Sequence, residues 1–361
     1  MKKLKMLTGA IMVMASMVFS LSCERDCPTC PKPPLQTSEH IFYVGALDEG
    51  VIKTFSAEKR MFIDSIQVVV VGQSLALDVV GNDEMLAIST TTEGVRMYDL
   101  RTHRIAYSFP DWNSMTIDPL CRYFLIANGT NNHIELRQFE NFDLIFTDTM
   151  FLWPEFSFNG SDVAYSQIFS SPTTTSIAKI YNIESDSVIY SRRLYYGGQE
   201  ITIFQTLPVV QYNKLFFIGG TPYLNAAFVV DLDSDTARLL MPLGEGTGWM
   251  KSDIDGERIF IVNHPGFYGG VSQKIYVYSV ASEGQLGVIS TAEVNHEPAS
   301  MAITADGRFM LTGTSNRDWP NVALVDLQDY SVVGAYDFSY DTGAFIHPGY
   351  VATKKMIKWE R

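Results

Sequence analysis

The chain alternates short apolar runs with short polar breaks, and the stretch from Ala299 to Tyr336 shows the unit most clearly. Met301 and Ile303 alternate with small or polar neighbours, the period of a strand with one face buried. Asp306-Gly307 marks a tight turn, because glycine accepts the positive φ such turns need. Phe309 to Leu311 starts a second strand, a polar loop follows, and Val322 to Leu327 forms a third. Gln328-Asp329 turns the chain into a fourth strand, Val332 to Tyr336. The pattern predicts a four-stranded antiparallel meander, which cannot bury both faces alone.

The meander recurs. A polar residue sits late in each third strand: Ser56, Asp99, Gln138, Asn182, Asp231, Ser279 and Asp326, at intervals of 43, 39, 44, 49, 48 and 47 residues. The first turn recurs too, at Asn82-Asp83, Asp118-Pro119, Asn159-Gly160, Asn213-Lys214, Asp255-Gly256, Asp306-Gly307 and Pro348-Gly349. A four-stranded unit at this period predicts an all-β, seven-bladed β-propeller of four-stranded antiparallel blades. Asp326 to the C-terminus spans 35 residues and His40 to Ser56 spans 16, together one repeat. The ring is therefore expected to close with strands from both termini. His347 onward would supply the inner strand of a blade whose others are 40–45, 51–56 and 61–66.

The stretches Ile275-Tyr-Val-Tyr-Ser-Val280 and Glu297-Pro-Ala-Ser-Met-Ala-Ile-Thr-Ala-Asp-Gly-Arg308 resemble seven-bladed propellers of the YVTN and lactonase-like type. The WD dipeptide and Gly-His signature of WD40-like repeats are absent. The resemblance implies the fold first. It also implies an alternative activity, a hydrolase needing acidic, His and Arg side chains at the channel, for which His264, Glu297 and Arg317 are candidates.

Residues 1–22 read as an export signal: Lys2, Lys3 and Lys5 precede an uncharged apolar run, Met6 to Leu21. Cys23 follows directly, as in a bacterial lipoprotein signal, where that cysteine carries acyl chains such as palmitate. Ser20-Leu21-Ser22 departs from the usual order of residues before the cysteine, so ordinary cleavage to a soluble periplasmic protein is the alternative. Residues 23–38 carry Pro28, Pro31, Pro33 and Pro34 and read as an extended tether. At about 3 Å per residue, some fifteen residues reach about 45 Å. Residues 39–361 form the propeller. The expected address is the bacterial cell envelope, on an outer membrane facing periplasm or surface, with membrane contact through the anchor alone.

Cys27 and Cys30 form a lone C-x-x-C in the tether. Without a second pair, a following His or a βαβ context, it reads as a local disulfide or idle thiols rather than a metal or redox centre. Cys121 reads as a small buried hydrophobe.

The formal charge is −13, and becomes −16 when the three signal lysines leave. That balance argues against nucleic acid as a partner. No metal and no cofactor is expected. G-x-S-x-G, H-E-x-x-H and a P-loop are absent. Asp231-Leu-Asp-Ser-Asp235 lacks the glycine and distal glutamate of a calcium loop, and reads as a turn.

In this geometry the second-to-third-strand loops and the connections between blades share one face. Trp112, Trp153, Trp249 and Trp319 fall in those segments, with Tyr223 and Tyr268. Trp112, Trp153 and Trp249 each stand six residues before a turn residue, Asp118, Asn159 and Asp255. The functional reading is a stacking surface near the channel mouth for a glycan or a protein. The structural reading makes each tryptophan a wedge between blades. The acids in the same connections (Asp111, Glu155, Glu200, Glu245, Glu297 and Asp341) read mainly as solvated surface. The leading expectation is thus a non-enzymatic, envelope-anchored binding or scaffold module for a protein or glycan.

Overall fold

A computed structural model describes residues 40–46, 51–67, 74–80, 85–90, 94–100, 102, 104–112, 114–118, 122–128, 133–149, 157–159, 161–169, 175–244, 247–253, 255–264, 272–304, 306–314, 320–337 and 351–353. Blade 1 contains β1 (Ile41–Ala46), β2 (Val51–Ser56) and β3 (Met61–Gln67), and blade 2 contains β4 (Ser74–Val80), β5 (Met85–Thr90), β6 (Gly94–Asp99) and β7 (Arg104–Phe109). Blade 3 follows as β8 (Ser114–Ile117), β9 (Tyr123–Asn128), β10 (His133–Gln138) and β11 (Leu144–Thr149). Blade 4 is β12 (Ser157–Asn159), β13 (Asp162–Phe169), β14 (Thr175–Asn182) and β15 (Ser187–Arg192). A small hairpin, β16 (Tyr195–Tyr196) and β17 (Gln199–Glu200), precedes blade 5, which is β18 (Thr202–Val209), β19 (Lys214–Thr221), β20 (Leu224–Asp231) and β21 (Arg238–Gly244). Blade 6 is β22 (Thr247–Ser252), β23 (Arg258–His264), β24 (Lys274–Ser279) and β25 (Gln285–Ser290). Blade 7 is β26 (Ser300–Ile303), β27 (Phe309–Gly313), β28 (Val322–Asp326) and β29 (Ser331–Tyr336). The last strand, β30 (Val351–Thr353), pairs antiparallel with β1, placing Phe42 opposite Thr353.

Among the described residues these strands form seven four-stranded antiparallel sheets, each paired in chain order apart from the β1–β30 contact. The molecule is a seven-bladed β-propeller. All seven polar residues that mark the repeat end a strand: Ser56 ends β2, Asp99 β6, Gln138 β10, Asn182 β14, Asp231 β20, Ser279 β24 and Asp326 β28.

The core lies between blades. Seven clusters of buried side chains each draw on two neighbouring sheets, and one of them joins blade 7 to blade 1. In that cluster Phe42, Val44 and Phe55 meet Leu311, Val322 and Leu324. Each second strand feeds two seams at once. In β9, Phe124 and Ile126 enter the seam with blade 2, while Leu125 and Ala127 enter the seam with blade 4. Both faces of the sheet are covered, so these strands are apolar throughout rather than alternating. Leu215 and Phe217 against Phe216 and Ile218 divide in the same way in β19.

The hairpin between third and fourth strands has a repeated irregularity. Arg60, Phe142, Asp186, Glu283 and Tyr330 take positive φ (48° to 61°) just before the fourth strand. The facing third strand bulges near its end, as at Thr54/Phe55, Leu136/Arg137 and Leu324/Val325. A left-handed residue followed by a bulge is a common hairpin closure, and it adds twist to the blade.

Candidate ligand face

Blade 5 carries the longest complete hairpin among the described residues. β19 and β20 have eight residues each and meet at Pro222-Tyr223, so that Tyr223, 88% exposed, stands at the tip. Tyr223, read from sequence as part of a loop, thus sits in a two-residue turn between long strands. Two glycines allow the inner strand to approach it. A Cβ on Gly219 would lie 2.7 Å from both Ile201 Cγ2 and the Thr202 carbonyl oxygen. A Cβ on Gly220 would lie 2.4 Å from Asn225 Oδ1 and 3.5 Å from the Phe204 ring. The register shifts between Ile203 and Gln205, leaving Phe204 without a ladder partner and with its ring beside Gly220. Phe204 is 38% exposed.

The next residue, Gln205, turns toward blade 6. Its amide accepts from the Met250 N–H at 2.7 Å and donates to the Met250 carbonyl at 3.0 Å. Trp249, one residue earlier in β22, is also 38% exposed, between the buried Gly248 and Met250. Phe204 and Trp249 therefore flank one fixed link at the same end of two adjacent inner strands. Tyr223 rises from the hairpin at that end.

The two described tryptophans of the six-residue spacing occupy different places. Trp249 lies within an inner strand rather than a loop. Trp112 lies two residues before β8, half-buried against the seam of blades 2 and 3, with its ring 5.9 Å from that of His133. Trp153, Trp319, Tyr268 and Arg317 lie outside the described residues, as do Cys23, Cys27, Cys30 and Cys121. His264 closes β23.

Among the described residues the acids of this face differ in environment. Asp111 is exposed, Glu200 is half-buried with Arg193 at 3.4 Å, and Glu297 is buried. Glu155, Glu245 and Asp341 lie outside the described residues. The Asp231–Asp235 segment is a strand-to-strand turn, with Asp231 ion-paired to Arg238 at 2.6 Å and to Lys214 at 3.4 Å. Among the described residues no group of three or more His, Cys, Asp or Glu side chains is arranged to hold a metal.

His296 had no motif to announce it. Fully buried in the connection from blade 6 to blade 7, it donates from Nδ1 to the Pro320 carbonyl at 2.8 Å. Its Nε2 accepts from the Thr312 hydroxyl at 2.9 Å. Burial pushes its pKa down to about 4, against the opposing influence of the Pro320 carbonyl and the Asp337 charge. A neutral, saturated, inaccessible imidazole positions loops and does not exchange protons with a ligand.

Other polar groups hold seams. Asp148 of blade 3 accepts from Tyr165 at 2.7 Å and Lys179 at 2.6 Å in blade 4. Burial disfavours ionisation of Asp148, but these bonds outweigh it and lower its pKa. Burial and the same aspartate push Tyr165 upward.

No protein-family model matches the chain, and no curated protein matches it. Solved structures do. Hydrazine synthase of Kuenenia stuttgartiensis is similar with a TM-score of 0.60 at 13% identity, over 83% of this chain and 98% of that one. The Cps50 (Swd1) β-propeller domain of Myceliophteria thermophila is similar at 0.55 and 12% identity, over 75% and 88%. The dihydro-heme d1 dehydrogenase NirN, in complex with DHE, is similar at 0.50 and 11% identity, over 86% and 76%. At such identities the likeness shows the fold alone.

Proposed function

We propose that this chain is an exported, lipid-anchored propeller that works without catalysis and presents the Phe204, Tyr223 and Trp249 face to a glycan or a protein. One observation carries the reading: three large aromatic side chains are exposed at one end of blades 5 and 6, on a scaffold fixed by Gln205. Aromatic faces offer broad, stiff contact area to sugar rings or peptide side chains. The link to YVTN and lactonase-like propellers belongs to this reading, as do the anchor at Cys23 and ring closure by both termini. The pairing of β30 with β1 supports that closure. The hydrolase alternative uses His264, Glu297 and Arg317, of which Glu297 is buried.

The test is a titration of the mature protein with soluble peptidoglycan fragments and with detergent-extracted envelope proteins, followed by tryptophan fluorescence. Trp249→Ala and Tyr223→Ala should each weaken the binding found by tenfold or more, as truncated aromatic anchors commonly cost about 2 kcal/mol. Unchanged affinity in both variants would remove the proposed face.

A further inference from the structure

Alternation along the strands decides which side chains face the seam of blades 5 and 6. Ile218, Ala227 and Leu243 enter it from blade 5, and Met250, Ile259 and Ile261 from blade 6. Two residues past Ile218 stands Gly220, whose cross-strand partner is Asn225, two before Ala227. Two residues past Ile261 stands Asn263, opposite Gly248. Side chains two apart share a face of a strand, so Asn225 and Asn263 approach the seam from its two walls. They do so at the end where Phe204 leaves the ladder. The link from Gln205 to Met250 closes the seam one step further in, at the level of Ile218 and Ile261.

Glycine lets the walls come close at this mouth. A Cβ on Gly220 would collide with Asn225 Oδ1 and lie 3.5 Å from the Phe204 ring, so amide and ring flank one point. A Cβ on Gly248 would lie 3.1 Å from Leu243 Cδ1, across the seam. Phe204 is exposed and Asn225 half-buried, so both are open to a ligand. Asn263 Oδ1 is buried and has no hydrogen-bond partner among the described residues. A buried acceptor without a donor weakens a fold, and native structures keep few of them. The residue as a whole is half-buried and its terminal torsion is soft, so a small turn of the amide brings the oxygen to the mouth.

We propose that the mouth of this seam binds one ring of an uncharged oligosaccharide, with Phe204 as the stacking surface and Asn225 and Asn263 as the hydrogen-bonding pair. The inference rests on the reading of this end as the ligand face, and it selects the glycan over the protein. A pyranose has a C–H face that stacks on an aromatic ring, and hydroxyls on adjacent carbons that each donate and accept. An asparagine amide answers such a pair with one acceptor and one donor group. Asn263 Oδ1 gains from a sugar hydroxyl the hydrogen it lacks. Tyr223 and Trp249 offer surface to neighbouring units of the same chain. A peptide would bind best by adding to an open ladder edge, but β19, β20 and β23 are each paired on both sides. None of the residues named on either wall carries a charge, and the net charge of −13 disfavours an acidic sugar.

The experiment titrates the mature protein, by calorimetry, with cellohexaose, maltohexaose and the hexamer of N-acetylglucosamine, and with the acidic hexamer of galacturonic acid. At least one neutral hexamer should bind, and the acidic one should bind at least about tenfold more weakly. Asn225→Ala and Asn263→Leu should each weaken the neutral sugar by about tenfold or more. Thermal melts separate this from a structural role. Asn263→Leu removes an acceptor that the fold leaves unpaired, so its midpoint should equal or exceed that of wild type. No binding of any neutral hexamer, or undiminished binding in both asparagine variants, would overturn the sugar site. In either case, loss of envelope-protein binding in Trp249→Ala and Tyr223→Ala would leave the broader aromatic face standing, with a protein as its ligand.

Discussion

The side chain of Gln205 closes on the backbone of Met250 as a strand would, accepting from its N–H at 2.7 Å and donating to its carbonyl at 3.0 Å. The inner strand of each blade pairs on one edge with its own blade, so its other edge is unpaired unless a side chain reaches it. Here a neutral amide supplies both a donor and an acceptor and ties β18 to β22. Gln205→Leu keeps the volume and leaves two partly buried backbone groups unpaired. It should cost about 1 to 3 kcal/mol, read as a lower midpoint in chemical denaturation. Gln205→Glu can accept from the N–H but cannot donate when ionised, and should fall between. A leucine variant as stable as wild type would mean that water replaces the amide.

Trp112 and Trp249 share a sequence offset but not an environment, and their truncations should separate. Trp112→Ala removes packing from the seam of blades 2 and 3, where the ring lies beside buried side chains. A cost of about 2 to 3 kcal/mol follows, toward the low end for a large aromatic because it is half-buried. Trp249→Ala should change unfolding by less than about 1 kcal/mol, as surface substitutions do. Calorimetry on the two variants checks the contrast, and a large loss for Trp249 would make it a wedge as well.

Those two residues also show where sequence reasoning stopped. The offset runs from a turn residue, yet β8 begins at Ser114, after Trp112, whereas β22 begins at Thr247, before Trp249. Equal spacing thus left one ring at a blade seam and the other on an inner strand. The repeat itself was legible because each third strand ends on its polar residue, and Asp326 and Ser279 mark that boundary plainly. Phe204 was not legible, because a bulge takes one residue out of the alternation that strand reading depends on. The β16–β17 hairpin has two residues per strand, too few to show a period. His40 and Asp306 meet at the seam of blades 7 and 1 across 266 residues of sequence, a distance that no local pattern spans.

On the proposed reading the lipid on Cys23 is the anchor, since 23–38 holds no apolar run that could replace it. Cys23→Ala should release the processed protein from membranes into the soluble fraction after a salt wash, since a tether alone has no membrane affinity. Complete retention of the variant would place the attachment elsewhere.

Acid should weaken the fold in a window set by His296. In the folded protein its pKa is down to about 4 from the ordinary 6.5, so as pH falls the unfolded chain takes the proton first. Stability from this group is therefore full above the unfolded value and is lost as pH falls from about 6.5 toward about 4, with no further loss below that. At about 1.4 kcal/mol per pH unit the full effect approaches roughly 3 kcal/mol. The carboxylates with lowered pKa values, Asp148, Asp231, Glu283 and Asp306 among them, act in the same direction but below their own ordinary range. The upper part of the acid limb should therefore depend on His296. Denaturant titrations of wild type and His296→Asn between about pH 7 and about pH 4 test this. The variant should be less stable at neutral pH, having lost the bonds to Pro320 and Thr312, and the two proteins should converge as pH falls. A constant gap across the window would mean that the buried imidazole accepts its proton in place, and that the loops around it yield before the fold does.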